Sequence, residues 1–141
     1  MNNDSKLHQH IRNLPVDIIM RIIPYTYQLQ NKILLDDIVN YTETRTAMLD
    51  KYYNFWCVDM ESRFPDEDKH WLINDILSYV NNYNAIVYGY VDKFNNIFRR
   101  NLYMRSCVEM YVYQLQDKSV MTQINILLGL LTPEERKDCF V

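Results

Sequence analysis

Asn13-Leu14-Pro15-Val16-Asp17-Ile18-Ile19-Met20-Arg21-Ile22-Ile23-Pro24-Tyr25-Thr26-Tyr27 is a short, strongly apolar stretch bracketed by two prolines, and its reading decides the fold. Proline suits the first position of a helix, because the amide hydrogen it lacks would have had no intrahelical partner there. Pro15 therefore predicts a helix start, and Asp17 places a negative charge at the positive end of the helix dipole. Ile18, Ile19, Ile22 and Ile23 recur at helical spacing and make one broad apolar face, with Pro24 expected to stop or kink the helix. The first buried element of an all-α fold is the reading that follows.

Glycine usage supports it. Two glycines in 141 residues cannot build a phosphate-cradling loop or a dinucleotide fingerprint. Neither Asn-Gly nor Asp-Gly occurs, which disfavours a fold of tight hairpins. Helices lose least by this scarcity. A chain of this length buries enough surface for a cooperative core without metal or disulfide support. The expectation is a single compact, bundle-like domain of six to eight helices at residues 13–141, preceded by a flexible polar tail at residues 1–12.

Working outward, Ile33, Leu34, Leu35, Ile38 and Val39 predict a second helix ending near Asn40, and Thr42 a cap for a third that runs to about residue 62. Met48, Tyr52, Phe55, Trp56 and Met60 form a stripe along that third helix. Arg63-Phe64-Pro65-Asp66 is a break, and Asp66, Glu67 and Asp68 mark a helix start. The fourth helix should carry Trp71, Leu72, Ile76, Leu77 and Val80 inward and end at Asn81-Asn82. A short break predicts an antiparallel hairpin with Trp56 and Trp71 in one layer. Residues 84–116 read as helical throughout, with a break near Asn95-Asn96 or Arg100-Asn101. One face there carries Val87, Val91, Phe94 and Phe98, the other Leu102, Val108, Tyr111 and Leu115. A helix at 120–130 follows a cap at Asp117 or Ser119, and Thr132-Pro133-Glu134-Glu135 is a capping box for a terminal helix.

Chemistry is sparse. Cys57, Cys107 and Cys139 are odd in number and widely spaced, and the N-terminus lacks the regions of a signal peptide. Together they imply a reducing compartment and a protein that is not secreted. No apolar run reaches the length of a membrane span. The H-x-H pair His8 and His10 has no third ligand fixed nearby, so no metal is expected. Asp66, Glu67 and Asp68 lack the loop of a calcium site and read as helix capping. Cys57 and His70 flank the break, but a free cysteine on an apolar face is commonly inert. No catalytic residue and no cofactor are assigned, and the chain is expected not to be an enzyme.

Lys93, Arg99, Arg100 and Arg105, interleaved with Phe98 and Tyr103, are the only basic cluster with aromatic neighbours, and such a surface can track phosphates. The net charge of −3 favours a solvated helix face over nucleic-acid binding. Twelve tyrosines point to surfaces that bury a ring and keep a hydroxyl wet, and Tyr103, Tyr111 and Tyr113 are the interaction candidates among them.

Leu14-Pro15-Val16-Asp17-Ile18-Ile19-Met20-Arg21-Ile22-Ile23 resembles the start of an F-box. That resemblance implies an adaptor docking a ubiquitin ligase, with Leu14, Pro15, Ile18 and Ile22 as protein-binding residues. The longer run from Ile22-Ile23-Pro24-Tyr25 through Leu34-Leu35-Asp36-Asp37-Ile38-Val39-Asn40-Tyr41 to Tyr52-Tyr53-Asn54-Phe55-Trp56 resembles small helical proteins of giant nucleocytoplasmic DNA viruses. The group is the marseilleviruses, which include Noumeavirus. This second resemblance implies a non-catalytic viral protein acting through protein contacts, either a virion component or an early factor engaging host machinery. It implies a host or viral protein partner, self-association being compatible, and a place in the virion and host cytoplasm with the host nucleus as a further location.

Overall fold

A computed structural model describes residues 15–26, 31–100 and 107–140, residues 22–26 through their backbone. The fold is all-α, with seven α-helices and no strand among the described residues. Two compact units divide the chain, Met1–Leu35 and Asp36–Val141.

In the first unit, helix α1 spans Val16–Thr26. The Pro15 carbonyl accepts from the amides of Ile18 and Ile19 at 3.0 and 3.1 Å, so this proline stands at the helix start as its chemistry requires. Pro24 does not stop the helix, which continues to Thr26. Its missing donor falls in the last turn, where the disruption is shared with a helix end.

Helix α2 is continuous over Lys32–Tyr53, correcting the expected boundary at Asn40 to Thr42. The Thr42 hydroxyl donates to the Ile38 carbonyl at 2.9 Å, so it is satisfied inside the helix instead of capping a new one. With neither Pro nor Gly between residues 31 and 64, nothing interrupts the backbone ladder. A turn of π-helix, Asn54–Asp59, extends α2 and closes with the Met60 amide donating to Phe55 at 2.9 Å. Its wider winding slips the 3.6-residue register. Tyr52 and Trp56 keep contact with the neighbouring helix, whereas Phe55 and Met60, expected on the same stripe, are exposed.

Helix α3, Glu67–Val80, is the centre of the second unit. Leu72, Ile76 and Val80 recur every four residues on its buried face, with Ile73 and Tyr79 beside them. Each such aliphatic side chain contributes about 1.5–3 kcal/mol by leaving water. Asp66 precedes α3 in a left-handed conformation (φ 55°), and its carboxylate binds Lys69 instead of capping the backbone.

Residues 84–91 form no α-helix, contrary to the continuous pattern of apolar side chains. Asn82 and Tyr83 adopt positive φ, a three-residue 3₁₀ turn spans Ile86–Tyr88, and Gly89 sits at φ +99°. Asn81, fully buried, holds this loop: its Nδ2 donates to the carbonyls of Asn84 (2.9 Å) and Gly89 (3.2 Å), and its Oδ1 accepts from the Val91 amide at 3.0 Å. Val87 consequently lies in solvent.

Helix α4 spans Asp92–Phe98, and its end at Arg99 agrees with a break near Arg100-Asn101. Phe94 stacks on Tyr90 at 4.3 Å and on Phe98 at 4.4 Å, a ladder produced by aromatics four residues apart. Helix α5, Val108–Gln116, buries Val108, Val112 and Leu115. Helix α6, Val120–Leu130, starts where the Ser119 side chain accepts from the Thr122 amide, as expected, and buries Ile124, Leu127 and Leu128. Helix α7, Pro133–Cys139, carries the complete capping box of Thr132 and Glu135. Helix α3 packs against α4, α6, α7 and the π turn, so the core of this unit forms around it.

The sequence gives no hint of one further tie. Arg136, 2 % exposed, donates through Nε to the Leu128 carbonyl (2.9 Å) and through Nη1 to Asp37 Oδ1 (2.6 Å) and Asn40 Oδ1 (2.9 Å). Arg100 Nη1 donates to Leu130 at 3.1 Å, so two guanidinium groups meet the carbonyl end of α6, where the helix dipole favours positive charge.

Candidate functional site

The hairpin of α2 and α3 places three pairs in register: Tyr52 with Asp75, Trp56 with Trp71, and Ser62 with Glu67. As one residue number rises the other falls, so the helices run antiparallel, as the short break requires. The Tyr52 hydroxyl donates to Asp75 and the Ser62 hydroxyl to Glu67. The indoles of Trp56 and Trp71 stack face to face at 4.7 Å and 2°. Phe55 meets Trp56 edge-on at 5.2 Å and 88°.

Between these groups lies a cleft of about 280 Å³ lined by Lys51, Tyr52, Phe55, Trp56, Trp71 and Asp75. A second hollow of about 250 Å³ shares Lys51, Tyr52 and Asp75 and continues toward Ser78 and Tyr83. Burial, followed by its hydrogen bond to Asp75, pushes the Tyr52 phenol above its ordinary value, so it stays protonated and donating. Trp71 was expected inward. It is 41 % exposed, because one indole face rests on Trp56 while its Nε1 reaches Glu67 at 3.4 Å. Tyr53, Phe55, Val58, Met60 and Phe64 are exposed around the same hairpin. Apolar side chains gathered in this way mark interaction surfaces more often than isolated ones do.

Tyr111 and Tyr113 are not in the lining of this cleft. Pro15 and Ile18 are exposed on the first unit, and Leu14, Tyr103, Arg105, Leu102 and the Ile22 side chain lie outside what is described. On α5, Tyr111 is half-buried with its ring edge-on to Phe98 at 6.0 Å, and Tyr113 is 66 % exposed. Positions two apart on a helix point to different sides, so these tyrosines do not form one patch.

Among the described basic residues, Lys93 and Arg100 are engaged within the fold. Lys93 lies 3.4 Å over the Tyr79 ring and donates to the Tyr79 carbonyl at 3.0 Å. Arg100 pairs with Glu135, Nη2 to Oε1 at 2.8 Å, which raises the guanidinium and lowers the carboxyl from their ordinary values. Arg99 is exposed.

Cys57 is half-buried in the π turn and His70 is exposed on α3, with no hydrogen bond between them among the described residues. Desolvation, then the nearby Asp68, raises the Cys57 thiol, the opposite of what an activated nucleophile needs. Lys69 holds Asp66 at 2.7 Å and approaches Asp68 at 3.6 Å, which engages the acidic cluster in ion pairs. His8 and His10 lie outside the described residues, and among those described no group of His, Cys, Asp and Glu is arranged to hold a metal. No described helix is long and apolar enough to cross a membrane. Comparison with protein-family models, curated proteins and solved structures finds no match to this chain.

Proposed function

We propose that the chain works without catalysis, through protein contacts, and that the α2–α3 cleft is the contact surface. The observation that carries this reading is the placement of both tryptophans of the chain on one open cleft, in a hairpin that carries further exposed apolar side chains. Tryptophan and tyrosine dominate the energetics of protein interfaces, because a large rigid ring buries much area at small entropic cost. The viral resemblance in the sequence supplies the setting, a virion or early factor engaging host machinery. Affinity purification from infected cells with Phe64→Ser and Trp71→Ala tests it. A partner recovered with the wild-type chain and with Tyr113→Ser, but lost with both hairpin variants while they keep native circular dichroism, supports the cleft. Recovery unaffected by the hairpin changes refutes it.

The F-box-like reading of the first unit gains support from α1 continuing through Pro24 to Thr26, since Pro24 falls where the helix of that motif continues. Its test is recovery of a ubiquitin-ligase adaptor that is lost with Ile18→Asp. Failure to recover any such adaptor sinks it.

A further inference from the structure

We propose that the α2–α3 cleft receives the cationic side chain, lysine or arginine, of a basic peptide segment on the partner. The inference rests on the contact-surface reading above and names the chemistry of the partner.

Charge is the first argument. Residues 50–75 contain seven carboxylates (Asp50, Asp59, Glu61, Asp66, Glu67, Asp68, Asp75) and three cations (Lys51, Arg63, Lys69), a net of −4 against −3 for the whole chain. The acidity of the protein is thus concentrated in this hairpin. A hairpin of net negative charge favours the approach of a basic segment over that of a phosphate-bearing one.

Geometry is the second. Stacking hides one face of each indole against the other, and Phe55 stands perpendicular to Trp56, so the cleft offers aromatic surface at two orientations. A cation over such faces is held by the ring quadrupoles, and its aliphatic stem packs on the remaining apolar wall. Asp75 lies in the same lining. One of its oxygens accepts from Tyr52, and among the described residues nothing donates to Oδ1. An entering ammonium or guanidinium finds there an anion already oriented by the Tyr52 hydroxyl. Lys51, also in the lining, is carried on a flexible stem at the C-terminal end of α2 and must swing out as the ligand cation enters. The continuation of the cleft past Asp75 toward Ser78 and Tyr83 gives the peptide backbone a path along the seam.

The two tryptophans make the test direct, because every indole in the protein reports on this site. The full chain is titrated with a blocked lysine-rich hexapeptide, its arginine counterpart and its norleucine counterpart, with indole fluorescence and calorimetry as readouts. The expected result is saturable binding of both cationic peptides and at least tenfold weaker binding of the norleucine peptide, equal to about 1.4 kcal/mol. Trp71→Ala and Asp75→Asn, both at exposed positions, should each weaken the cationic peptides about three- to tenfold, and added salt should weaken them further. Equal binding of the norleucine peptide, or cationic binding unaltered in both variants, overturns the inference and leaves the contact surface standing. No peptide binding, with a partner still captured through Phe64 and Trp71, overturns it likewise. Capture of a partner indifferent to those residues is the separate failure of the contact reading.

Discussion

Replacing Asp37 by alanine should destabilise the protein more than its surface position suggests, and removing Arg136 as well should restore part of the loss. The reason lies in the asymmetry of the pair. The Arg136 side chain is 2 % exposed, whereas that of Asp37 is 41 % exposed, and they meet at 2.6 Å. Asp37→Ala leaves a desolvated guanidinium with the Leu128 carbonyl, the Asn40 amide oxygen and, at 3.5 Å, the backbone carbonyl of residue 37 as acceptors. A lost charge-assisted hydrogen bond costs about 1.5–3 kcal/mol, and an uncompensated buried charge raises the figure to about 3–5 kcal/mol. These neutral acceptors remain, so about 2–4 kcal/mol is expected here. Arg136→Met removes the buried charge together with its three close bonds, and the freed Asp37 carboxylate returns to water. The double variant is therefore expected to be about 1–2 kcal/mol more stable than Asp37→Ala alone, since an apolar side chain fills the site without a charge to desolvate. Urea unfolding of the four proteins, followed by circular dichroism and indole fluorescence, closes the cycle. Strict additivity, or a double variant less stable than Asp37→Ala, refutes the reasoning that the buried cation is the costly partner.

Asn81→Ala should cost about 2–4 kcal/mol, because it leaves the Val91 amide and the carbonyls of Asn84 and Gly89 without their side-chain partner, and hydrogen exchange should quicken at the Val91 amide. Glu135 is held below the ordinary carboxyl value chiefly by Arg100, so its contribution is complete above about pH 4.3 and fades as pH falls through the lowered folded value. Glu135→Gln should flatten that acid limb and lose about 0.5–1 kcal/mol at neutral pH, read from urea midpoints against pH. Burial pushes the Cys139 thiol up to about 12, while Cys107 is exposed. Iodoacetamide at pH 8 should therefore modify Cys107 first and Cys139 more slowly, the difference closing on unfolding. Mass spectrometry that finds Cys139 alkylated in the native state at the rate of Cys107 contradicts its protected placement.

Features governed by neighbouring residues were legible in the sequence. The Thr132 to Glu135 capping box, the Ser119 start of α6 and the Trp56–Trp71 layer each follow from groups a few residues apart or from one short turn. Signals of moderate strength misled. Asn40 and Thr42 resemble a helix boundary, yet the continuing backbone offers Thr42 an acceptor at Ile38, and helix wins wherever no residue removes a donor or forces φ positive. The loop at 84–91 shows the reverse. Its apolar pattern continues, but Asn81 satisfies three backbone groups by itself and makes the non-helical path the better hydrogen-bonded one. Arg136 was illegible for a different reason, since its partner Asp37 lies 99 residues away and the local sequence shows only a charged residue near a helix end.

The candidate site arises where the periodic pattern fails. An unbroken α-helix from residue 42 to about 62 would put Tyr52, Phe55, Trp56 and Met60 on one stripe and bury them together. The π turn Asn54–Asp59 divides that stripe: Tyr52 and Trp56 stay against α3, while Phe55 and Met60 turn to solvent. Such turns are rare, appear mostly as single turns inside α-helices, and are frequent at functional sites. The turn leaves an open aromatic face beside Asp75. Recovering α-helical winding would return Phe55 and Met60 to the stripe of Tyr52 and Trp56, so the turn and the open cleft stand or fall together.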